Sequence, residues 1–193
     1  MSHSADLDRK VLAAVERLGR ALRAARQDVA TRHEVSLLGL SVIETLADGR
    51  PRRVGDLAAE LDVSQPTVSD AVTVLDKRGL IRRDRDPADL RSTLVALTDD
   101  GDRLAADAAA ELAPLLAAGS GTDADRATTL RVLLGEIARL QAAGVITVNR
   151  SCLSCRHYQP PGPRTRARCL LLATALADRD LRVDCPEHEP ILA

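Results

Sequence analysis

The stretch between residues 53 and 98 constrains the fold most, because its apolar spacing changes there from helical to alternating. Residues 53–63 place their apolar side chains on one face of a short helix. Ser64 then offers an N-cap, and Pro66 lies in the first turn of a second helix that Gly79 ends. The pattern therefore predicts two helices joined by a tight turn.

The second helix has an apolar side and a polar side. We expect an inward set at helical spacing, namely Val68, Ala71, Val72 and Leu75. The Ser64 cap is followed by an outward set of polar side chains, namely Gln65, Thr67, Ser69, Asp70 and Thr73. Because short hydroxyl and amide groups let a helix approach base edges closely, this face predicts a helix that reads the major groove of DNA.

A charged hairpin follows this helix. Residues 80–83 and the alternating run 92–97 predict its two arms, with residues 84–91 as the tip. Six cations lie between residues 77 and 91 against three anions, an excess that suits contacts with phosphate. The candidate contacts among them are Lys77, Arg82, Arg83 and Arg85. A solvated loop beside an ordinary helical domain is the alternative, but the order of the features favours a DNA-binding wing.

This segment resembles the MarR family of dimeric bacterial transcription regulators. The matching residues are 54–58, 64–69, 75–81, 89–92, 97–98 and Gly101, and the layout extends over residues 5 to 145. An Asp-x-Arg wing is a signature of that family, so the resemblance implies that Arg91 enters the minor groove and that Asp89 orients it. Asp70 departs from the family pattern, in which a basic residue often follows the second Ser of the reading helix.

The composition excludes some classes of protein. The 193 residues include 27 Lys and Arg against 28 Asp and Glu, which argues for a local basic surface rather than a nonspecific nucleic-acid coat. The first thirty residues carry a charge every few positions, unlike a signal peptide, and no run of about twenty apolar residues could cross a bilayer. We therefore expect no membrane partner and a cytoplasmic protein, whose thiols stay reduced.

Amphipathic helices flank the winged segment. An apolar seam near the start alternates spacings of four and three, through Val11, Val15, Leu18, Leu22, Ala25 and Val29. After residue 101 a second helix follows, which Pro114 should kink or interrupt, and Thr122 or Asp123 caps a final one. Part of each seam fits an internal core. MarR-like proteins pair through terminal helices, and palindromic operators need two reading helices about one DNA turn apart, so we expect a homodimer.

Every cysteine lies in a final segment rich in Pro and Arg, after a β-favouring run at residues 145–148. Cys152 and Cys155 are two residues apart, Cys169 follows after thirteen residues and Cys185 after fifteen more. His157 and His188 are additional candidate ligands. Soft ligands at this density predict a metal-binding module.

Three interpretations of the cysteines remain open. Structural zinc comes first, because a small module without aromatic residues has little core and would gain folding energy from an ion. An iron–sulfur cluster is supported by the wide spacing and by the proline after Cys185. The third is a metal-free thiol switch, or cysteines without a special role. The flanking arginines, including Arg150 and Arg156, are expected to lower the pKa of the thiols.

The sequence thus predicts a mainly α fold with a small β-wing: a winged helix-turn-helix flanked by dimerisation helices, with a small Cys-rich C-terminal module. The predicted domains are 1–148, with the DNA-binding core at 36–98, and 149–193. The predicted function is a sequence-specific repressor of a palindromic operator in double-stranded DNA, responsive to redox state, metal or a small-molecule effector, and not an enzyme. The alternative is a protein-interaction module; a thiol redox enzyme is third.

Overall fold

The computed structural model describes residues 3–87, 89–117 and 121–191, with residues 3, 4, 90, 91 and 115–117 through their backbone only. The chain divides into two compact units, residues 1–118 and residues 119–193. The predicted division at 148 differs from this one, because the last long helix packs with the cysteine segment. Arg131 of that helix, for example, bonds Asp178 at 2.9 Å.

Five helices and a three-stranded sheet make up the first unit. The helices are α1 (His3–Arg32), α2 (Leu37–Leu46), α3 (Val54–Glu60), α4 (Gln65–Lys77) and α5 (Asp99–Ala117). The strands are β1 (Arg52–Arg53), β2 (Ile81–Asp86) and β3 (Asp89–Leu97), in the antiparallel order β1-β3-β2. This architecture confirms the predicted mainly α fold with a small β-wing.

The local signals around α4 act as predicted. The side chain of Ser64 accepts a hydrogen bond from the backbone N–H of Thr67, as an N-cap does. Gly79 follows the helix with a φ of +70°, a left-handed conformation that glycine adopts without a steric penalty. Val68, Val72 and Leu75 are buried in the core, so the apolar side of α4 faces inward.

The wing is longer than predicted. β2 and β3 pair from Ile81 opposite Leu97 to Arg85 opposite Thr93. The expected charged tip at residues 84–91 is therefore wrong in extent, because most of these residues lie in the strands. Successive side chains of a strand point to opposite faces, and those of residues 82–85 are all exposed, so both faces of this part of the wing meet solvent and accommodate charge.

The expected interruption of α5 is also wrong. The helix continues through Pro114 to residue 117. A proline removes one backbone hydrogen bond and crowds the preceding turn, but here it lies close to the end of the helix. Leu104, Ala105 and Ala108 of α5 are buried against the core that α2, α3 and α4 share.

The second unit begins with α6 (Asp123–Ala142), which Thr122 caps together with Asp125. Three short strands follow, β4 (Tyr158–Gln159), β5 (Ala167–Cys169) and β6 (Thr174–Leu176), in one antiparallel sheet. The β-favouring run at 145–148 does not form a strand. Its first N–H, that of Val145, instead bonds the carbonyl of Leu140 at 2.9 Å and closes the end of α6.

Among the residues that the structure describes, no helix combines the length and the apolar character that a membrane span requires.

A close approach between α5 and the strand that leads into the wing predicts the effect of one substitution. A Cβ at Gly101 would overlap the carbonyl oxygen of Leu80 and lie 3.1 Å from a methyl carbon of Leu97. We expect Gly101→Ala to lower the free energy of unfolding by about 1–3 kcal/mol, as overpacking does. Urea denaturation measures it. The control is Gly55→Ala, whose nearest neighbour lies 3.9 Å away; equal stability in the two variants would contradict the packing described here.

Candidate nucleic-acid interface and cysteine site

The outward side of α4 has the polar surface that the sequence predicts. Gln65, Thr67 and Asp70 are exposed, and Ser69 and Thr73 are half-buried. By the helical period, Asp70 and Thr73 lie opposite the side that Val68, Val72 and Leu75 bury. Thr67 and Ser69 lie at the flanks of that side, and Gln65 lies in the first turn. The hydroxyl of Ser64 is engaged at the N-terminus, where its Oγ lies 2.7 Å from Oγ1 of Thr67.

Val74 belongs to this surface too, although sequence reasoning did not select it. Its side chain is 57% exposed. An exposed valine on a reading helix offers an apolar contact to the methyl group of thymine. Its helical phase, rather than its residue type, would have assigned it to the outward side.

Arg83 connects the wing to α4. Its Nη2 donates to Oγ1 of Thr73 at 2.9 Å, and its Nε lies 3.2 Å from a carboxylate oxygen of Asp76. Thr73 in turn donates to the carbonyl of Ser69 at 2.8 Å. Arg83 and Thr73 were predicted as separate DNA contacts, and the structure brings them into contact with each other.

A second connection, which sequence reasoning missed, joins β1 to the end of β2. Nε of Arg53 donates to Oδ2 of the buried Asp86 at 2.9 Å. The pKa of the Arg53 guanidinium is raised, chiefly by this hydrogen bond. The pair joins residues 33 positions apart, a pairing that no local pattern reveals.

The other predicted wing residues differ in their surroundings. Arg82 bonds Asp84 at 3.0 Å and the carbonyl of Leu97 at 2.9 Å. Lys77 and Arg85 are exposed. Asp89 accepts a hydrogen bond from Ser92 at 2.7 Å. The side chain of Arg91 lies outside the described part of the chain, so its minor-groove role stays a prediction.

In the second unit, one cavity is lined by all four cysteines. Its other lining residues are His157, Tyr158, Glu187 and three leucines, Leu171, Leu172 and Leu176. The cysteines come from three separate places: Cys152 and Cys155 flank a 3-10 turn (Cys152–Ser154), Cys169 ends β5, and Cys185 lies in the last loop. None of them forms a disulfide. The structure thus places together residues that the chain separates by up to 33 positions.

Backbone hydrogen bonds hold these three places in position. The N–H of Cys155 donates to the carbonyl of Cys152 at 3.1 Å, which closes the turn between them. Cys169 lies opposite Tyr158 in the β4-β5 pair. The N–H of Cys185 donates to the carbonyl of Arg150 at 3.0 Å. Backbone hydrogen bonds therefore hold all three places in position.

Arg182 is the cation that reaches the thiols, and sequence reasoning did not name it. Its backbone N–H lies 3.2 Å from Sγ of Cys152, and its Nη1 lies 3.6 Å from Sγ of Cys185. The arginines expected to act on the thiols have other partners: Arg150 bonds Asp184 at 2.7 Å and Arg156 pairs with Glu189 at 2.9 Å.

Burial raises the pKa of the Cys152 thiol, and the neighbouring cysteines add to this rise, while the N–H of Arg182 opposes it. The expectation that flanking arginines lower the pKa is therefore wrong for this thiol, because burial dominates and because Arg150 and Arg156 are paired with Asp184 and Glu189. A thiol that is buried without a compensating positive charge favours its neutral form.

The two histidines have partners other than the cysteines. Nε2 of His157 lies 3.1 Å from Glu189, and Nε2 of His188 lies 3.0 Å from the hydroxyl of Ser154. Within the described residues, no three His, Cys, Asp or Glu side chains are grouped as ligands of a metal ion. Zinc therefore stays a prediction.

Comparison with known proteins shows what this chain is similar to. Residues 35–92 match the model of the MarR family. A MarR family transcription regulator of known structure superimposes with a TM-score of 0.63 at 23% identity, covering 73% of this chain and 94% of its own. CouR from Rhodococcus jostii RHA1, bound to p-coumaroyl-CoA, gives 0.55 at 26% identity, covering 65% and 89%.

A MarR family regulator from Listeria monocytogenes, solved with a 26mer DNA, gives a TM-score of 0.60 at 18% identity and covers 67% of this chain and 87% of its own. Among curated protein sequences, none matches this chain. The likeness to the solved structures covers the fold and leaves a quarter or more of the chain unmatched.

The exposed Arg85 predicts a salt effect. Replacing Arg85 by Ala should weaken binding to all DNA sequences about equally and reduce the slope of log affinity against log salt by about one, since one phosphate contact is lost. Fluorescence anisotropy at several salt concentrations measures this slope. The control is Arg20→Ala, an exposed arginine of α1; the same slope for wild type and Arg85→Ala would remove Arg85 from the interface.

Proposed function

We propose that the protein is a transcriptional repressor that binds a palindromic operator as a homodimer, since residues 35–92 match the model of the MarR family. The match of these residues to a family model of transcription regulators supports a DNA-binding regulator.

The polar side of α4 beside the wing carries this proposal. Gln65, Thr67 and Asp70 are exposed on a helix whose opposite side is fixed in the core. Arg83 joins that helix to β2 through Thr73. In this arrangement α4 enters the major groove while the wing follows the adjacent backbone and minor groove. Val74 adds an apolar contact to the base edges.

Arg91 provides the test of the wing. We expect Arg91→Ala to weaken operator binding by about 1–3 kcal/mol, measured by gel shift at one fixed salt concentration. Arg91→Lys is the matched control, because it keeps the positive charge but not the planar guanidinium that fits the narrow minor groove. Affinity unchanged in the alanine variant would exclude Arg91 from the interface; full affinity in the lysine variant would reduce its role to charge.

An apolar stripe along α1 supports the proposed dimer. Leu7, Val11, Val15 and Leu18 recur at spacings of four and three, and each has about half of its side chain or more in solvent. Further along the same seam Val29 is buried in the core of the chain itself. The seam therefore divides into a part that the chain covers and an exposed part that a second copy would cover.

Light scattering tests this assembly. We expect the wild-type protein to have twice the chain mass of 20.6 kDa at micromolar concentration. Val15→Asp combined with Leu18→Asp should lower the mass to that of one chain, because two charges would be buried in the interface. Operator affinity should fall with it. The control is Arg20→Asp, on the opposite side of α1; a monomeric wild-type protein would contradict the proposal.

Regulation of such a dimer requires a signal that binds its operator-bound and free forms with different affinities. CouR binds p-coumaroyl-CoA in its solved structure, which supports a small-molecule effector here. The state of the cysteine group is the second candidate signal.

A further inference from the structure

We propose that the four cysteines of the second unit hold an iron–sulfur cluster, with Cys152, Cys155, Cys169 and Cys185 as its thiolate ligands. The cavity that they line is the site. Each thiol would lose its proton on binding, so loading releases protons and the cluster's iron offsets the negative charge of the thiolates. This proposal is independent of the DNA-binding function.

The first argument is that the four cysteines lie in different kinds of local structure. Structural zinc sites typically draw on two closely spaced pairs of ligands, each on its own short turn. Here only Cys152 and Cys155 form such a pair, at the turn that the N–H of Cys155 closes. Cys169 lies in a strand and Cys185 in a loop followed by Pro186, and single, widely spaced cysteines and a Cys-Pro step are features of iron–sulfur ligation.

The arrangement of the four thiols is the second argument. All four cysteines border one cavity, yet within the described residues no three His, Cys, Asp or Glu side chains are grouped as ligands of a single metal ion. Four sulfurs bound to one zinc ion at about 2.3 Å would lie about 3.8 Å from one another. A cluster of several atoms binds thiols that are further apart than one ion allows.

The surroundings of the sulfurs are the third argument. The N–H of Arg182 points to Cys152, and the Arg182 guanidinium lies 3.6 Å from the sulfur of Cys185. Leu171, Leu172 and Leu176 give the cavity an apolar lining. Hydrogen bonds to sulfur and limited solvent access are the means by which a protein sets the potential of a cluster.

Metal content separates this proposal from zinc. The full chain is purified without oxygen, freed of metal, and refilled with a mixture of ferrous and ferric iron and with sulfide, in the presence of equimolar zinc. We expect iron and sulfide in equal amounts, about two to four of each per chain, with the broad visible absorption of a cluster. One zinc per chain without colour, or a protein that takes up no metal, would overturn the proposal.

Two variants connect the metal to these residues. Cys169→Ser should lose cluster absorption, whereas His157→Gln, which changes another lining residue of the cavity, should keep it. If the histidine variant loses the cluster while remaining folded by circular dichroism, the four-cysteine assignment is overturned.

A third variant covers the case in which Cys169→Ser does not fold. Arg182→Leu should keep the cluster and shift its reduction potential to a more negative value, because a cation that stabilises the reduced form is lost. A structural zinc site has no reduction potential to shift. A loaded Arg182→Leu protein whose potential equals that of the wild type would contradict the placement of Arg182 beside the cluster.

Discussion

The burial of one side of α4 determines the direction in which its other side faces. Val68, Val72 and Leu75 pack into a core that α2, α3, α5 and the sheet also form. Because these contacts involve three successive turns of the helix, α4 cannot rotate without exposing them, at a cost of about 1.5–3 kcal/mol for each side chain. The polar surface around Thr67 and Asp70 therefore has a fixed direction before any DNA is bound. Arg83 connects the wing to α4 through Thr73, and the Arg53–Asp86 pair connects the end of β2 to β1.

Local signals were enough to predict the elements of this domain but not all of their limits. Ser64 and Gly79 mark the ends of α4 because capping and left-handed backbone are properties of single residues. The wing strands extend further than predicted because pairing with β3, not the charge of residues 82–85, decides where β2 ends. Val74 was missed because residue type was used where helical phase was needed. The Arg53–Asp86 pair is a contact between distant residues, and no local pattern carries it.

The cysteine segment shows the same division between what spacing can and cannot predict. Spacing predicted that the cysteines act together, and the structure does place all four around one cavity. It could not predict that Arg150 and Arg156 are paired with carboxylates, because Asp184 and Glu189 lie more than thirty residues away along the chain. The cation that reaches the sulfurs, Arg182, comes from beyond the third cysteine. Likewise the amphipathic pattern of α6 predicts a dimerisation helix of the first domain, whereas its contacts connect it to the cysteine segment.

Because Asp70 repels the DNA phosphates, contacts with the bases must supply a larger share of the affinity for DNA. It is exposed on the reading side of α4, and the wing arginine that reaches this helix, Arg83, pairs with Asp76 instead. A carboxylate in this position repels phosphate and can form a favourable contact with DNA mainly by accepting a hydrogen bond from the amino group of cytosine. A register that places a backbone phosphate opposite Asp70 is therefore penalised. Since the chain as a whole carries a net charge of −1, its general attraction to DNA is weak, and both features favour a regulator that binds tightly only where the base sequence fits.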